Sequence, residues 1–304
     1  MSNNMVILDG GMGRELARMG APFRQPEWSA LALIEAPQFV RQAHDAFIAA
    51  GSQVITTNSY AVVPFHVGEE VFAKQGAELI ALSGRLAREA ADAAPTPVKV
   101  AGSLPPVLGS YRPDLFEPTK AKRLLSVLVD GLKDSVDLWL AETQSSVVEV
   151  ELVREVLGND PRPLWLSFTL KDELNENGEA QLRSGESVTD AVNAVLRLAG
   201  SAILFNCSRP EVMASAVREA REVATRHGSK LAIGVYANAF EPSDNKRGAN
   251  EGLSDLRKDT DPKGYLSFAE EWVEAGATMV GGCCGIGPEH IAALSEKLGD
   301  RAHS

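Results

Sequence analysis

The chain has 304 residues, of which 44% are hydrophobic and 23% are charged, and it is long enough to bury a sizeable globular core. Its formal net charge of −11 argues against a nucleic-acid partner or an anionic membrane surface, because each needs a concentrated basic face. No apolar run approaches the roughly 20 residues that span a bilayer, and the amino terminus lacks the pattern of a secretory signal. Three cysteines, an odd number, predict no disulfide framework and favour a reducing, cytoplasmic compartment.

Eight short apolar runs recur along the chain, each followed by sequence that is compatible with a helix. Runs that are apolar on both faces are typical of parallel strands covered on both sides. The eight predicted strands are residues 6–10, 53–59, 98–104, 138–144, 163–170, 202–208, 230–238 and 279–285. Eight successive strand–helix units predict an α/β fold, the (β/α)8 TIM barrel, as a single domain over residues 1–304. An open doubly wound sheet is the alternative, since periodicity does not show whether the sheet closes.

Two of the predicted helix starts carry capping residues. Ser146 and Glu149, directly after the fourth strand, have the spacing of a capping box. Ser187 and Asp190, after the fifth strand, form a weaker version of the same pattern. Each pair therefore predicts a helix that begins at the serine.

Three connections exceed the usual length of a strand-to-helix loop, namely residues 11–36, 171–186 and 239–261. The last two are polar and rich in glycine and asparagine, which predicts mobile rims or lids. All three follow strands, so in a barrel they lie at the carboxyl ends of the strands, where barrel enzymes carry their active sites.

Polar residues end several of the apolar strands, and a residue in that position of a barrel is a candidate for the functional site. Asp9 alone would as easily cap the following turn, and Glu142 alone would as easily be a solvated loop residue. Their shared position at one end of the sheet favours a functional site over separate structural roles. The strand-end candidates are Asp9, Asn58, Glu142, Cys207, Cys283 and Cys284.

The cysteines are confined to two of these strand ends. Cys207 follows the sixth strand, and Cys283 and Cys284 stand side by side in GGCCG after the eighth. Alternate strands supply side chains to common layers of a barrel, so the three thiols can converge. Three thiolates with one open position suit a catalytic zinc site, although small buried hydrophobic residues are the alternative. A vicinal disulfide is disfavoured, and the flanking glycines favour ligands because they weaken a strand that only fills a core.

The segment 9–16, DGGMGREL, follows a strand and begins like a dinucleotide-binding fingerprint. Leu16 stands where the third glycine is needed, and no acidic residue ends the second strand, so a nicotinamide cofactor is rejected. What remains is a run of backbone N–H groups beside the Asp9 carboxylate. Amides can hold a carboxylate and Asp9 can pair with an amine, which suits an α-amino acid.

Six segments together resemble the homocysteine S-methyltransferase family. This family includes enzymes that use betaine, S-methylmethionine or S-adenosylmethionine, and the homocysteine module of cobalamin-dependent methionine synthase. The segments cover nearly the whole chain and are LDGGMGREL, ITTNSYAV, AGSLPP, AETQSSVVE, LFNCSRP and GGCCGIGPEHI. The paired Asn-Cys strand end and late Gly-Gly-Cys-Cys-Gly are highly specific. The resemblance implies a (β/α)8 barrel that forms one homocysteine-binding domain.

The resemblance also implies the chemistry. A zinc ion held by the cysteines would take the sulfur of L-homocysteine as its fourth ligand and keep it as a thiolate. That sulfur would accept a methyl group from a small sulfonium or quaternary ammonium donor, giving methionine. The implied ligands of Zn2+ are Cys207, Cys283 and Cys284. The resemblance assigns Asp9 and Glu142 to the amino group of homocysteine, and Gly10, Gly11 and Met12 to its carboxylate.

An onium donor favours aromatic faces, for which Trp28, Tyr60 and Tyr236 are candidates, with core packing as the alternative role. Trp28 and Tyr60 resemble pocket residues of the betaine-dependent branch, and Asn58 is placed with them among the substrate-binding residues. Arg14 stands where the family commonly has threonine or serine, a difference that bears on the choice of donor.

Two alternative functions are kept. One is a methyltransferase of the same fold that uses another thiol or a selenol as acceptor. The other is a non-catalytic metal-binding barrel, which would need a fourth ligand from the protein. The expected partners are homocysteine and a free small-molecule methyl donor, with no nucleic acid and no membrane, and a homo-oligomer is compatible with the sequence.

Overall fold

The computed structural model describes residues 5–240 and 256–299, so most of the predicted connection 239–261 lies outside the described residues. All eight predicted strands are present, and six of them end earlier than the sequence predicts. The strands are β1 (Val6–Ile7), β2 (Val54–Thr56), β3 (Lys99–Leu104), β4 (Leu138–Gln144), β5 (Leu164–Phe168), β6 (Ala202–Asn206), β7 (Ala232–Ala237) and β8 (Met279–Gly282).

The strands form one parallel sheet in the order β1-β8-β7-β6-β5-β4-β3-β2. A parallel bridge between Leu8 and Val54 joins β1 to β2, so the sheet closes on itself. The predicted TIM barrel is therefore confirmed, and the open doubly wound sheet is wrong. In the closed order β5 is the fourth neighbour of β1 in either direction, so the carboxyl ends of these two strands lie on opposite sides of the mouth.

Helices surround the sheet, and two of them begin at a proline that follows an acidic residue. Glu117 accepts hydrogen bonds from the N–H groups of Thr119 and Lys120 at 2.9 and 2.7 Å. Asp261 accepts one from the N–H of Gly264 at 2.8 Å. None of the described helices is long and apolar enough to cross a membrane. The helices are α1 (Met12–Arg18), α2 (Ala30–Glu35), α3 (Pro37–Ala49), α4 (Pro64–Val67), α5 (Glu69–Asp92), α6 (Pro118–Leu132), α7 (Val147–Leu157), α8 (Val188–Arg197), α9 (Pro210–Arg226), α10 (Pro262–Ala275) and α11 (Pro288–Leu298).

One of the two predicted capping boxes forms. Ser187 Oγ accepts from the Asp190 N–H at 3.0 Å, and Asp190 Oδ2 accepts from the Ser187 N–H at 3.1 Å. Before α7, Glu149 Oε2 instead accepts from the Ser145 N–H at 2.6 Å, and the Ser146 hydroxyl has no hydrogen-bond partner among the described residues. The predicted Ser146–Glu149 box is therefore wrong, because the buried Glu149 reaches back one residue further.

The core has two layers, one between the helices and the sheet and one inside the barrel. The outer layer contains the fully buried Trp139, Trp272 and Tyr265. The Tyr265 hydroxyl donates to the Gly281 carbonyl oxygen at 2.7 Å and so ties α10 to the end of β8. The inner layer consists of Leu8, Val54, Ala101, Leu138, Leu140, Ala202, Leu204, Tyr236 and Met279.

His44 on α3 is an unusual residue to find buried in the helical layer. Its side chain is fully buried, and neither ring nitrogen has a hydrogen-bond partner among the described residues. Burial, assisted by the charge of Arg41, lowers the pKa of His44 to about 4, so the imidazole is neutral in the folded protein at neutral pH.

The turn between β8 and α11 has almost no free volume. A Cβ at Gly282 would lie 2.1 Å from Cγ2 and 2.3 Å from Cβ of Ile286. A Cβ at Gly11 would lie 2.5 Å from the carbonyl oxygen of Cys283. Gly287, in the same turn, differs, because its Cβ would meet no atom closer than 3.7 Å. The turns after β1 and β8 are therefore fixed by direct backbone contact.

We expect the protein to lose stability in mild acid through His44. The pKa of His44 in the folded protein, about 4, lies below its ordinary value of 6.5. His44 therefore leaves the free energy of unfolding unchanged above pH 6.5 and lowers it as the pH falls towards 4, because the unfolded chain binds the proton first. The loss reaches about 3 kcal/mol. Urea unfolding of wild type and His44→Leu at pH about 7 and about 4.5 measures it, and the variant should gain about 2 to 3 kcal/mol relative to wild type at the lower pH. An identical difference at both pH values would contradict this role.

Gly282→Ala is expected to lower the free energy of unfolding by at least about 1–3 kcal/mol, because the added methyl group must displace Ile286. Gly287→Ala is the matched control, with a cost below about 1 kcal/mol. Its φ of −100° suits alanine, and the new methyl group meets only ordinary contacts. Urea unfolding of both variants measures the difference, and equal stability would show that the turn is not closely packed.

Candidate active site at the mouth of the barrel

Three cysteine side chains meet at the carboxyl ends of β6 and β8. Cys207 follows β6, and Cys283 and Cys284 follow β8. All three sulfur atoms lie within 4.8 Å of one another, although Cys207 and Cys283 are 76 residues apart in the sequence. The alternate strands of the barrel thus bring together every cysteine of the chain.

Cys207 and Cys283 are joined by a disulfide bond, whereas Cys284 is a free thiol. The cysteine count predicted no disulfide framework, and this single bridge between two strand ends was not predicted. It forms because the strand ends converge and place the two Cα atoms 5.6 Å apart, within the range that a disulfide bridges. A count of cysteines along the sequence does not reveal such a contact. Only the reduced pair can offer three thiols to a metal ion.

The donor set fits a soft divalent metal ion. Three sulfurs within 4.8 Å of one another match the ligand number of a catalytic zinc site that keeps one position for a substrate. Burial raises the pKa of the Cys284 thiol to about 11, and the nearby Arg14 guanidinium only partly opposes this rise. A partly buried thiol with a raised pKa is protonated at neutral pH unless a cation binds it.

Two buried carboxyl groups lie at the same end of the barrel, Asp9 after β1 and Glu142 within β4. Asp9 Oδ2 accepts from the Thr56 N–H at 2.8 Å. Glu142 Oε1 accepts from the Tyr236 hydroxyl at 3.2 Å, and its Oε2 accepts from the Ser103 hydroxyl. Burial raises the pKa of Asp9 to about 7 and that of Glu142 to about 6, and the Glu142 charge adds to the rise at Asp9. A bound cation would relieve the unfavourable charge of both groups.

The turn after β1 offers fewer free amides than the sequence predicts. The Gly11 N–H already donates to the Ile286 carbonyl oxygen at 2.8 Å, so it is not available to a substrate. Gly10 instead permits close approach, since a Cβ there would lie 2.3 Å from the same oxygen. Met12 begins α1, where the N–H groups of the first turn have no partner within the helix. A substrate carboxylate would therefore meet Met12 rather than Gly11.

The other predicted substrate-binding residues lie after β2 and before α2. Asn58 Nδ2 donates to the Ser29 carbonyl oxygen at 3.1 Å, which connects the turn after β2 to the segment that carries Trp28. Trp28 has a φ of 49° and packs, half-buried, against the outer core. The Tyr60 hydroxyl shares a 2.6 Å hydrogen bond with the Ser110 hydroxyl. Tyr236, the third predicted aromatic, bonds directly to the Glu142 carboxylate.

Sequence analysis did not single out Tyr111, after β3, or Arg183, after β5. Tyr111 has a φ of 62°, rare for a bulky side chain, and its hydroxyl lies near Cys284 and Tyr60. Arg183 lies over the Tyr111 ring, with 5.1 Å between the guanidinium carbon and the ring centroid. Neither residue ends a strand, and the one sequence signal for Arg183 is its place in a long connection after β5.

The connection 171–186 is attached to the ends of two strands. An antiparallel bridge pairs Leu170 with Leu182, so the segment folds back on itself. The Ser184 N–H donates to the Ser145 carbonyl oxygen at 3.0 Å, just beyond the end of β4. The segment thus packs on the mouth of the barrel, and its mobility stays a prediction.

Several methyltransferases are similar to this chain. The sequence model of the homocysteine S-methyltransferase family matches residues 6–298. The chain is 29% identical to homocysteine S-methyltransferase 1 of Brassica oleracea var. italica, over 96% of this chain and 93% of that protein. It is 26% identical to the selenocysteine methyltransferase of Astragalus bisulcatus, over 96% of this chain and 92% of that protein.

The homocysteine methyltransferase MmuM from Escherichia coli is similar in structure over nearly its full length. Its metallated form superposes with a TM-score of 0.76 at 27% identity, covering 97% of this chain and 96% of that chain. Its oxidized form gives a TM-score of 0.77 with the same identity and coverage. Because the family model spans almost the entire chain, this protein belongs to the homocysteine S-methyltransferase family, which the six sequence segments predicted.

Proposed function

We propose that the protein is a zinc-dependent enzyme that transfers a methyl group from a small sulfonium or quaternary ammonium donor to the thiol of L-homocysteine, giving methionine. The candidate donors are S-methylmethionine, S-adenosylmethionine and betaine. The observation that carries the proposal is the convergence of three cysteine sulfurs within 4.8 Å at a mouth that also holds two buried carboxyl groups. The cysteines would bind a metal ion, the metal ion would bind the thiol of homocysteine, and the carboxyl groups would bind its amino group.

Cys207, Cys283 and Cys284 would hold the zinc ion once the disulfide is reduced. A free thiol has a pKa of ~8.5, and bound zinc lowers it enough to supply a thiolate at neutral pH. Three sulfur donors select a soft ion over magnesium or calcium. A reducing compartment such as the cytoplasm would keep the three thiols available.

Asp9 and Glu142 would bind the ammonium group of homocysteine. Hydrogen bonds from Thr56, Ser103 and Tyr236 orient the two carboxylates before a substrate arrives. An ammonium group between them would relieve their repulsion and form charge-assisted hydrogen bonds. The carboxylate of the same amino acid would meet the Met12 amide, on the β1 side of the mouth.

In the proposed transfer, the thiolate sulfur of homocysteine attacks the methyl carbon of the donor. The bond from that carbon to the positively charged sulfur or nitrogen breaks, and its electron pair neutralises the leaving atom. The proton of the homocysteine thiol is released to solvent, so no side chain needs to act as a base during the methyl transfer. Asp9, Glu142 and Cys207 are at most 9% exposed, so water is largely excluded from the reacting groups.

Two alternative functions are each supported by a specific observation. A selenol or another small thiol is the alternative acceptor, supported by the relative whose name specifies selenocysteine. A non-catalytic metal site is supported by the cysteine cluster alone. It requires a fourth protein ligand, whereas the described residues place three ligating side chains in the cluster.

Zinc content and methyl transfer test the proposal together. Reduced, zinc-loaded protein is expected to hold about one zinc per chain and to form methionine from homocysteine with at least one of the three donors. Cys284→Ser should lose the metal, and its activity should fall at least about 100-fold. Emission spectrometry measures the metal, and mass spectrometry measures methionine. The unreduced wild type is the matched control, because its Cys207–Cys283 disulfide removes two ligands without a substitution.

The same experiment separates the alternatives. Zinc binding without methyl transfer from any of the three donors would contradict the enzyme proposal and favour a non-catalytic metal site. Methylation of selenocysteine but not of homocysteine would assign the acceptor to the selenol alternative.

Acceptor binding is expected to weaken in mild acid. Burial is the main cause that raises the pKa of Asp9 to about 7 and that of Glu142 to about 6. Pairing with an ammonium group needs both carboxylates ionised, so binding is complete above pH about 7 and is lost as the pH falls through 7 towards 6. The KM for homocysteine should rise roughly tenfold between pH about 8 and about 6, while the donor KM stays constant.

Asp9→Asn is the variant that checks this pH dependence. It should raise the KM for homocysteine at all pH values and remove most of the change between pH about 8 and about 6. A wild-type KM for homocysteine that stays constant over this range would contradict the assignment of Asp9 to the ammonium group.

A further inference from the structure

The connection 171–186 lies on the opposite side of the mouth from Asp9. It follows β5, which is the fourth neighbour of β1 in both directions around the closed sheet. The Arg183 N–H donates to the Thr169 carbonyl oxygen at 3.2 Å, and the Thr169 hydroxyl donates to the Cys207 carbonyl oxygen, also at 3.2 Å. These two hydrogen bonds fix the backbone of Arg183 beside the cysteine cluster.

The side chain of Arg183 is largely buried and only partly paired. It is 20% exposed, and its Nη2 donates to Asp172 Oδ1 at 2.9 Å. Its Nε is buried and has no hydrogen-bond partner within the described part of the chain. A buried charged N–H without an acceptor is costly, so a ligand that supplied an acceptor there would stabilise the side chain.

Tyr111 links this arginine to the cysteine cluster. Its ring lies under the Arg183 guanidinium, and its hydroxyl lies near the Cys284 side chain. A φ of 62° is a conformation that bulky residues keep mainly where the surroundings impose it, as at functional sites. The aromatic ring and the guanidinium therefore form one wall of the mouth on the β5 side.

The two substrates of the proposed reaction need separate sites for their carboxylates. The carboxylate of homocysteine is assigned to the Met12 amide on the β1 side, and its amino group to Asp9 and to Glu142, whose strand β4 is next to β5. The donor must approach the sulfur on the side away from the homocysteine chain, because its leaving group departs in line with the attacking sulfur. S-Methylmethionine, S-adenosylmethionine and betaine each carry a carboxylate besides the onium centre. A guanidinium suits a carboxylate, and an aromatic face suits an onium centre.

We infer that Arg183 binds the carboxylate of the methyl donor and that Tyr111 holds the guanidinium in place, an inference that rests on the proposed methyl transfer. Asp172 pairs with one edge of the guanidinium and leaves Nε for the donor. The Asp172 charge also offsets that of Arg183, which limits repulsion of the onium centre. The site thus selects donors that combine an onium methyl group with a carboxylate.

Substitution of Arg183 combined with a change of donor tests the inference. The probes are S-methylmethionine and betaine, each compared with its carboxamide, which keeps the onium methyl group and lacks the negative charge. The variants are Arg183→Met and Arg183→Lys. Arg197→Met is the matched control, because Arg197 lies on α8 and is 55% exposed. The kcat/KM for the donor is measured with reduced, zinc-loaded protein at saturating homocysteine.

Arg183→Met is expected to lower kcat/KM for the carboxylate donor by about 10- to 100-fold, with less than about threefold change for its carboxamide. Arg183→Lys keeps the charge and should recover part of the loss, and Arg197→Met should match wild type with both probes. Equal losses for the carboxylate donor and its carboxamide would overturn the inference and leave Arg183 a structural role.

Asp172→Asn separates carboxylate binding from the structure of the connection. This variant removes the ion pair but keeps the guanidinium, so the preference for the carboxylate donor should persist, and its loss would overturn the inference. A wild type that is active but does not distinguish the carboxylate donor from its carboxamide would also overturn it. A wild type that uses no donor at all would instead refute the proposed function.

Discussion

Direct backbone contact between the turns after β1 and β8 is the constraint on which the candidate site depends. A Cβ at Gly10 would lie 2.3 Å from the Ile286 carbonyl oxygen, and one at Gly282 would lie 2.1 Å from the Ile286 side chain. The Gly11 N–H donates to that same carbonyl oxygen at 2.8 Å. These glycines close the barrel where β1 meets β8 and place Asp9 next to the cysteines. The constraint is steric, so any side chain added there would move the cysteines relative to the Asp9 carboxylate.

Around this contact the protein keeps groups that it does not neutralise by itself. Burial raises the pKa of Asp9, Glu142 and Cys284, and the buried Nε of Arg183 has no acceptor among the described residues. The charged form of each group is unfavourable in the protein alone, and each group matches an opposite charge on the proposed substrates or metal ion. Folding stability is thus lowered at the points where binding would restore it.

The fold was predictable because the repeated apolar runs depend on burial, which every strand of a parallel barrel shares. Asp9, Glu142 and the cysteines were predictable because each stands at or near the end of a strand. Features that depend on contacts between distant segments were not predictable. The disulfide and the use of the Gly11 amide by Ile286 arise only when the barrel closes.

Residues of the connection after β5 illustrate the same limit. Arg183 carries no periodic or strand-end signal, since its position follows from its bond to Thr169 and its contact with Tyr111. The position of the Tyr111 side chain depends on a left-handed backbone conformation, which the neighbouring residues in the sequence do not predict. Long polar connections in barrels therefore hold information that only three-dimensional packing reveals.

The connection 171–186 begins and ends at nearly the same point of the barrel, because Leu170 pairs with Leu182 and Gln181 pairs with Ser187. A segment closed at its base in this way can be exchanged, shortened or lengthened while the strand order and the cysteine cluster stay in place. Recognition of one substrate can then diverge within a short stretch of chain, while the barrel keeps the other substrate and the reactive sulfur where they were. The architecture in this way separates the evolution of donor choice from that of the acceptor chemistry.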